Sequence, residues 1–410
     1  MRRWHSQYGP TFTLRDLAGV SVVTSDPELI RRLFAEPQPE RFDAAAPPSF
    51  DVLVGTRSLL MLPGQAHQQR RKLLGPPFCR EALPSWAQAM VASTRQSFAE
   101  LAPGQRFVAI ERNRAITLRV IGEVIFGAVG EVGDAIHAAM IAMLDRLKSR
   151  FLVTRATQHE LGGRSAFGRY MQASRELDRL LLAHIATRRR EPGESLLDRM
   201  LASTDEQGQR LDDQVVVDEL RTLLLGGHET TSTTLAWTLH YLHRDRAWLE
   251  RVRREVDSID DPIELARSPL LAAVIDETMR IRPVAGQLFR KLAEPMTLGP
   301  WHLPAGVTVT PAPCLVHLRP DLWPEPERFD PERFLAKPHP PAGHFIPFGG
   351  GTHRCIGAIL ARFEAMVILG TMLRELSFEL EDASPPAWVR DGFPLGPAGG
   401  VPMRLVARRT

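Results

Sequence analysis

Apolar residues mix with threonine and serine in two short β-rich runs near the start of the chain, Thr11 to Leu14 and Val20 to Thr24, with Gly19 between them. Their β-forming composition predicts strands, and the glycine between them suggests a small hairpin. Ser25-Asp26-Pro27-Glu28 then reads as a helix start, with a polar cap and proline in the first turn. Residues 44 to 61 read as loop, with Pro47-Pro48 and Gly55. From Gln65 to about Ile281 helical spacing dominates, broken by proline and glycine. Asp212 to about Leu242 forms one long helical pattern that Asp212 or Asp213 can cap. Ser268-Pro269 opens another, which ends at Arg282-Pro283 because a residue before proline avoids the helical region. Beyond Pro283 the texture changes to short β-type runs such as Val307 to Thr310. A proline-rich coil follows from Pro324 to Pro341. A glycine-rich loop comes next, then an apolar helix from Ile356 through Leu369 toward Leu376. The end is turn-rich from Ala383, with a last strand candidate at Met403 to Val406. The fold class expected is mainly α with small β-sheets near residues 1–25, 284–312 and 378–408.

Length alone allows two or three domains in 410 residues, but no linker, repeat or low-complexity tract divides the chain. One domain spanning 1–410 is expected. An apolar fraction of 44% is enough for a large core, and a formal charge of +3 is too small to argue nucleic-acid binding. Arg188-Arg189-Arg190 reads as a solvated helix end, where basic residues suit the dipole. Three cysteines, Cys79, Cys314 and Cys355, are an odd and sparse set. That fits a reducing compartment better than a disulfide framework. Cys79 and Cys314 lie in apolar surroundings and read as small core residues. The N-terminal MRRWHSQYGP carries no apolar stretch of signal-peptide or membrane-span length, so no membrane anchor is expected.

The chemistry concentrates in Phe348-Gly-Gly-Gly-Thr-His-Arg-Cys355-Ile-Gly357. A thiolate is an electron-rich ligand for iron, and the glycines let the backbone turn tightly beside a flat cofactor. Cys355 lies just before a helix, where the dipole and free amides favour an anion. A second unusual run stands inside the long helical pattern: Gly226, Gly227, His228, Glu229, Thr230 and Thr231. Two glycines in a helix interior cost roughly 1 kcal/mol each, so a sequence that only needed a helix would avoid them. Bare backbone lets something flat lie against the helix, and the acid and hydroxyl can break the local ladder and hold water. His228 is one residue off that face. A third run, Glu277-Thr-Met-Arg280-Ile-Arg-Pro283, puts Glu277 and Arg280 on one helical face.

Together these runs resemble the cytochromes P450, the haem-thiolate monooxygenases, of the soluble bacterial type. The resemblance covers nearly the whole chain, with its motifs in family order. It implies the P450 fold and haem b, with the Cys355 thiolate as axial ligand pushing electron density toward iron. Pro347, Phe348, Gly349, Gly351, His353, Ile356, Gly357 and Ala361 would contact the cofactor. Gly226 and Gly227 would line an oxygen groove, and Glu229 and Thr230 would deliver protons to it. Glu277 and Arg280 would meet a later arginine in a PERF-like segment and hold the cysteine loop. That partner is Arg333 in Pro331-Glu-Arg-Phe334, with Arg328 the alternative. His67 and Arg71 at i,i+4, Arg290 and His353 would bind the haem carboxylates. Leu225, Val284, Ala285, Leu288, Phe289 and Phe393 would line the substrate pocket. Their apolar character implies a terpenoid, steroid or fatty-acid-like substrate.

The chain has no room for a fused redox domain. Electrons are therefore expected from an external ferredoxin and ferredoxin reductase with NAD(P)H, docking on a basic face of Arg70, Arg71, Lys72, Arg80 and Arg354 by charge steering. A cytoplasmic monomer is expected. Two alternatives stay open: a peroxide-driven peroxygenase of the same fold, against which Glu229-Thr230 argue, and a non-catalytic haem sensor or electron carrier, against which the glycine-lined groove argues.

Overall fold

The structure is a computed structural model that describes residues 1–16, 19–44, 50–78, 80–147, 157–336, 339–390 and 394–409. Its body is helical and is organised around one 32-residue helix, Asp213–Arg244, the central helix. Asp212 caps it by accepting from the Gln214 amide. Residues 231 to 242 are buried all round, although several are Ser or Thr. The helix satisfies some of those hydroxyls itself: Thr234 donates to the Thr230 carbonyl (2.9 Å) and Thr238 to Thr234 (2.8 Å). The flanking helix Ala109–Val120, the anchor helix Pro269–Ile281 and the loop helix Ala358–Glu375 pack on it. Asn113 of the flanking helix donates to the Ser232 carbonyl at 3.2 Å.

Most strands lie near the ends of the sequence, as the pattern predicts, with Arg106–Val108 the exception. Thr11–Asp16 pairs antiparallel with Gly19–Thr24. Gly19–Thr24 then runs parallel to Thr308–Pro311, with Ser21 opposite Thr308, and Arg290–Lys291 completes this four-stranded sheet. The sheet therefore fixes where Arg290 emerges. A three-stranded sheet joins Arg106–Val108, Pro402–Arg408 and Leu376–Leu380.

Several local readings change. A helix, Arg2–Tyr8, precedes the first strand. It buries none of its residues, so no apolar period marks it. The expected loop at 44 to 61 contains single turns at Asp51–Val54 and Leu59–Met61; Ala45 to Ser49 lie outside the described residues, as do Cys79 and Phe151. Cys314 is buried, as expected of a core residue. The arginine run is not simply solvated. Arg188 pairs with buried Asp198 at 2.5 Å and Arg189 with Asp213 at 2.7 Å, because the chain folds back to bring both acids to that helix end.

Candidate active site

The cysteine loop is closed by its own backbone. The Gly349 amide donates to the Ile346 carbonyl (3.1 Å), Arg354 to Gly351 (3.1 Å) and Cys355 to Phe348 (2.9 Å). Gly349 and Gly351 take φ of 68° and 65°, left-handed values that cost an L-residue roughly 1–2 kcal/mol. Packing adds a second demand. A Cβ on Gly351 would lie 2.5 Å from the Phe34 carbonyl oxygen, and one on Gly350 would lie 2.2 Å from the Phe34 ring. Phe34 ends the helix Pro27–Phe34, so that helix is the support on which the loop folds.

Cys355 follows the last turn of the loop and precedes the loop helix. Its side chain is exposed, yet burial among surrounding protein pushes its thiol up, outweighing the downward pull of the Gly357 amide, Arg71 and Arg354. The Gly357 amide at the helix end favours the anion, in keeping with the reading from sequence, while burial opposes it. A cation bound at the sulfur would supply the opposing charge.

Four bases converge beside the loop. The His67 and His353 rings stack at 4.1 Å, and Phe42 meets His353 edge-on. Burial, then Arg71 and Arg290, pushes His67 down to about 4. Burial, then Arg290, His67 and Arg71, pushes His353 down to about 3. Arg290 is buried and donates only to the Phe289 and Gly350 carbonyls; burial and Arg71 bring it down to about 10. No carboxylate offsets any of the four among the described residues, and His353 Nε2 is buried without a partner. The two histidines are neutral, so the uncompensated charge is that of half-buried Arg71 and buried Arg290; such charge is costly without a partner, and the arrangement calls for an anion.

The glycine pair lies in a continuous stretch of the central helix, so the expected break in the ladder does not occur. The Thr230 hydroxyl instead donates along the helix to the Gly226 carbonyl at 2.5 Å. Glu229 Oε2 accepts from Arg114 of the flanking helix at 2.8 Å. His228 is turned the other way. Its ring is buried with Nδ1 3.0 Å from the Thr117 hydroxyl, and burial and Arg114 push it down to about 3. A Cβ on Gly226 would meet nothing within 4 Å, and one on Gly227 only Ile121, at 3.5 Å. Nothing in the chain itself requires glycine there.

Glu277 and Arg280 are fully buried and bonded in a bidentate pair at 2.7 and 2.8 Å. Arg333 Nε lies 3.5 Å from Glu277 Oε1. Arg328 sends its side chain to Glu325 and offers Arg280 only its carbonyl. Of the two candidates, Arg333 is the one whose side chain reaches Glu277.

The family model described as Cytochrome P450 matches residues 1–399. The chain belongs to the cytochrome P450 family. Among its relatives, cytochrome P450 138 of Mycobacterium tuberculosis is 33% identical over 414 residues, covering 99% of this chain and 91% of that one. Cytochrome P450 135B1 of the same organism is 34% identical over 386 residues, covering 92% and 80%. Among solved structures, retinoic-acid-bound cyanobacterial CYP120A1 superposes with a TM-score of 0.87 at 26% identity, covering 99% of this chain and 93% of that one. The cytochrome P450DA heme domain also gives 0.87, at 22% identity over 99% and 91%, and shows the fold alone.

As a P450 this chain is a haem-dependent monooxygenase, and haem in this family is held by a cysteine thiolate. The residues present fit that cofactor. Cys355 is exposed, Arg71 and Arg290 stand near it without a carboxylate partner among the described residues, where an anionic group would be welcome, and Gly226 and Gly357 leave space that no protein atom fills. No cluster of three or more His, Cys, Asp or Glu able to hold a bare metal ion occurs among the described residues. No helix among them is long and apolar enough to cross a membrane.

Other expected site residues fall as follows. Pro347, Phe348 and Ile356 are half-buried along the loop, and the Ala361 amide donates to the Gly357 carbonyl in the first turn of the loop helix. Leu225, Val284 and Ala285 are half-buried. The Val284 carbonyl accepts from the Leu395 amide at 2.9 Å, tying the strand Leu395–Pro397 to this segment. Leu288 packs with Ile30, Val316 and Ile346 under the cysteine loop, Phe289 is 47% exposed, and Phe393 lies outside the described residues. Arg70 is a correction to the basic face: it turns inward to Glu219 (2.9 Å) and the Arg57 carbonyl, leaving 17% of its side chain exposed. A buried carboxylate on the central helix outcompetes water for it.

Sequence reasoning missed Phe34, Arg114, His317 and Glu364. Arg114 and Phe34 carry no local signal. Glu364 does, as one acid in the apolar run of the loop helix. It is fully buried, burial pushes it up to about 8, and a hydrogen bond with the Thr231 side chain opposes the shift.

Proposed function

We propose that this P450 inserts one oxygen atom of O2 into an apolar small molecule such as a terpenoid, steroid or fatty acid, using electrons from an external ferredoxin and its NAD(P)H-dependent reductase. The observation that carries the site is the exposed Cys355 beside two guanidiniums, Arg71 and Arg290, that have no carboxylate partner among the described residues, with the neutral rings of His67 and His353 stacked next to them. In this reading Cys355 is the iron ligand, and His67, Arg71, Arg290 and His353 receive the haem carboxylates. Gly226 and Gly227 keep the helix face bare. Glu277, Arg280 and Arg333 are scaffold.

Haem, when bound, supplies the activation of O2, with one atom going to substrate and the other to water. The chain supplies protons and order. Thr230 holds its hydroxyl proton on the Gly226 carbonyl, so it must swing off that carbonyl to donate into the groove. Glu229 is held by Arg114, and letting go of the guanidinium frees it to pass protons to Thr230. Arg114 thus acts as the holder of the acid. The half-buried apolar residues Leu225, Val284 and Ala285 support an apolar substrate, as does the retinoic acid bound by the similar CYP120A1. Lys72, Arg80 and Arg354 are exposed and remain available to steer an acidic ferredoxin.

The test begins with a screen of terpenes, steroids and fatty acids for the spectral shift that marks loss of iron-bound water. Binders are then incubated with ferredoxin, ferredoxin reductase and NADPH. Oxygenated product dependent on all three supports the reading. Product formed with peroxide alone makes the chain a peroxygenase, and binding without product under either condition makes it a sensor or carrier.

A further inference from the structure

We infer that His317 is the positioning residue that couples the buried Glu277–Arg280 pair to the cysteine loop, by accepting a hydrogen bond from the Ile346 amide. The inference rests on Cys355 being the haem ligand, and it starts from a gap. The Glu277–Arg280–Arg333 cluster would hold the cysteine loop, yet none of its hydrogen bonds ends there. Arg280 donates to Glu277 and to the carbonyls of His317, Pro326 and Arg328. Glu277 otherwise accepts from the Asp330 amide, and Arg333 donates to the Glu325 carbonyl. Every contact stops within residues 317 to 333.

His317 bridges the gap from both of its ends. Its carbonyl accepts from Arg280 Nη1 at 2.8 Å, and its ring Nε2 lies 2.8 Å from the Ile346 amide. A backbone N–H can only donate, so Nε2 is the acceptor and the ring proton is on Nδ1. Nδ1 has no bond of normal geometry, but the Met279 and Arg280 carbonyls lie close enough to favour a proton there. Burial and Arg280 keep the ring neutral, pushing it down to about 3, so the acceptor is not lost to protonation. The ring is fully buried and faces Phe345 at 5.3 Å, which in turn meets Phe334 at 4.8 Å. From Ile346 the path to the sulfur is short. The Ile346 carbonyl accepts from Gly349, and the Phe348 carbonyl accepts from Cys355. Ile346 itself is buried, so without the imidazole its amide has no water to turn to.

The test compares His317→Phe with His317→Gln in the haem-loaded chain. Phenylalanine keeps the ring and its packing on Phe345 but has no acceptor, whereas glutamine places an amide oxygen where Nε2 stood. Two readouts are taken: hydrogen exchange at the Ile346 amide, and the carbon monoxide spectrum that distinguishes thiolate from thiol at iron. The expected result for His317→Phe is loss of Ile346 protection, conversion to the thiol-type spectrum and haem loss about 10-fold faster. His317→Gln should restore all three. If His317→Phe does not fold, Gln is compared with Asn, whose oxygen falls at the Nδ1 position: Gln should keep the thiolate spectrum and Asn lose it. Wild-type behaviour of His317→Phe, or equal behaviour of Gln and Asn, overturns the inference. A wild-type chain that itself lacks the thiolate spectrum overturns the haem reading instead, and the exchange measurement still reports on the His317 bond.

Discussion

A methyl group added to Gly350 would sit 2.2 Å from the ring of Phe34, while one added to Gly226 would touch nothing within 4 Å. The first glycine lies in the cysteine loop and the second on the central helix. In the proposed reading both motifs would present bare backbone to the same cofactor. In the loop, glycine is required by the fold: two positions have left-handed φ, and Phe34 fills the space where side chains would go. In the helix, φ is ordinary and the space is open, so the residue type answers to a group outside the chain. The loop side should therefore fail by loss of structure. The helix side should fail by loss of chemistry in a protein that stays folded.

The largest effect is expected on the scaffold behind the loop. Arg280→Met leaves Glu277 buried without its partner, and breaking a buried pair in this way costs about 3–5 kcal/mol. Thermal unfolding of the haem-loaded chain should show a large drop together with low haem content. A stability near wild type would mean that the pair is not what supports the loop.

Next comes the glycine contrast itself. Gly351→Ala combines a left-handed backbone, roughly 1–2 kcal/mol, with overpacking on Phe34, typically about 1–3 kcal/mol. Haem-to-protein ratio and unfolding temperature should both fall. Gly226→Ala should do the opposite for folding, since alanine is favoured over glycine in a helix by about 1 kcal/mol. Its haem-free form should unfold at a higher temperature, while binding of carbon monoxide at iron weakens. Destabilisation by Gly226→Ala would break the comparison.

Thr230→Ala sharpens the helix side. The hydroxyl only back-bonds to the Gly226 carbonyl, so folding should change by a few tenths of a kcal/mol at most. Turnover should change more: electrons consumed per product should rise, with peroxide released. Coupling equal to wild type, measured as product per NADPH, would remove Thr230 from the proton route.

The same contrast explains what was legible in the sequence. The long helix, its Asp212 cap, the anchor helix opened by Ser268-Pro269 and the hairpin strands follow from local periodicity and capping, and all are present. Cys355 and the glycine pair stand out because each violates what its local element prefers, and Glu277 with Arg280 because the run resembles a family motif. Phe34, Arg114 and His317 violate nothing locally. Their roles arise where elements far apart in sequence meet: Phe34 under Gly350, Arg114 across 115 residues on Glu229, His317 on Ile346. Arg70 was misread for the same reason, since only the fold brings Glu219 to it.

A pH-dependent effect is expected from Glu364, which joins the two regions: it lies on the helix that follows the cysteine loop and interacts with the Thr231 side chain of the central helix. Burial pushes this carboxyl from an ordinary 4.5 up to about 8. An acid whose folded value is raised keeps its proton in the native state after the unfolded chain has released it. Between about 4.5 and about 8 folding therefore takes up a proton, so the protein loses stability as pH rises through that window and loses no more above it. Glutamine at this position can still accept from the Thr231 hydroxyl but cannot titrate. Glu364→Gln should match wild type near the acid end of the window and become the more stable of the two as pH climbs past neutrality. Unfolding temperatures of both proteins across the window test this, and parallel pH profiles would show that Glu364 is not the neutral acid its burial makes it.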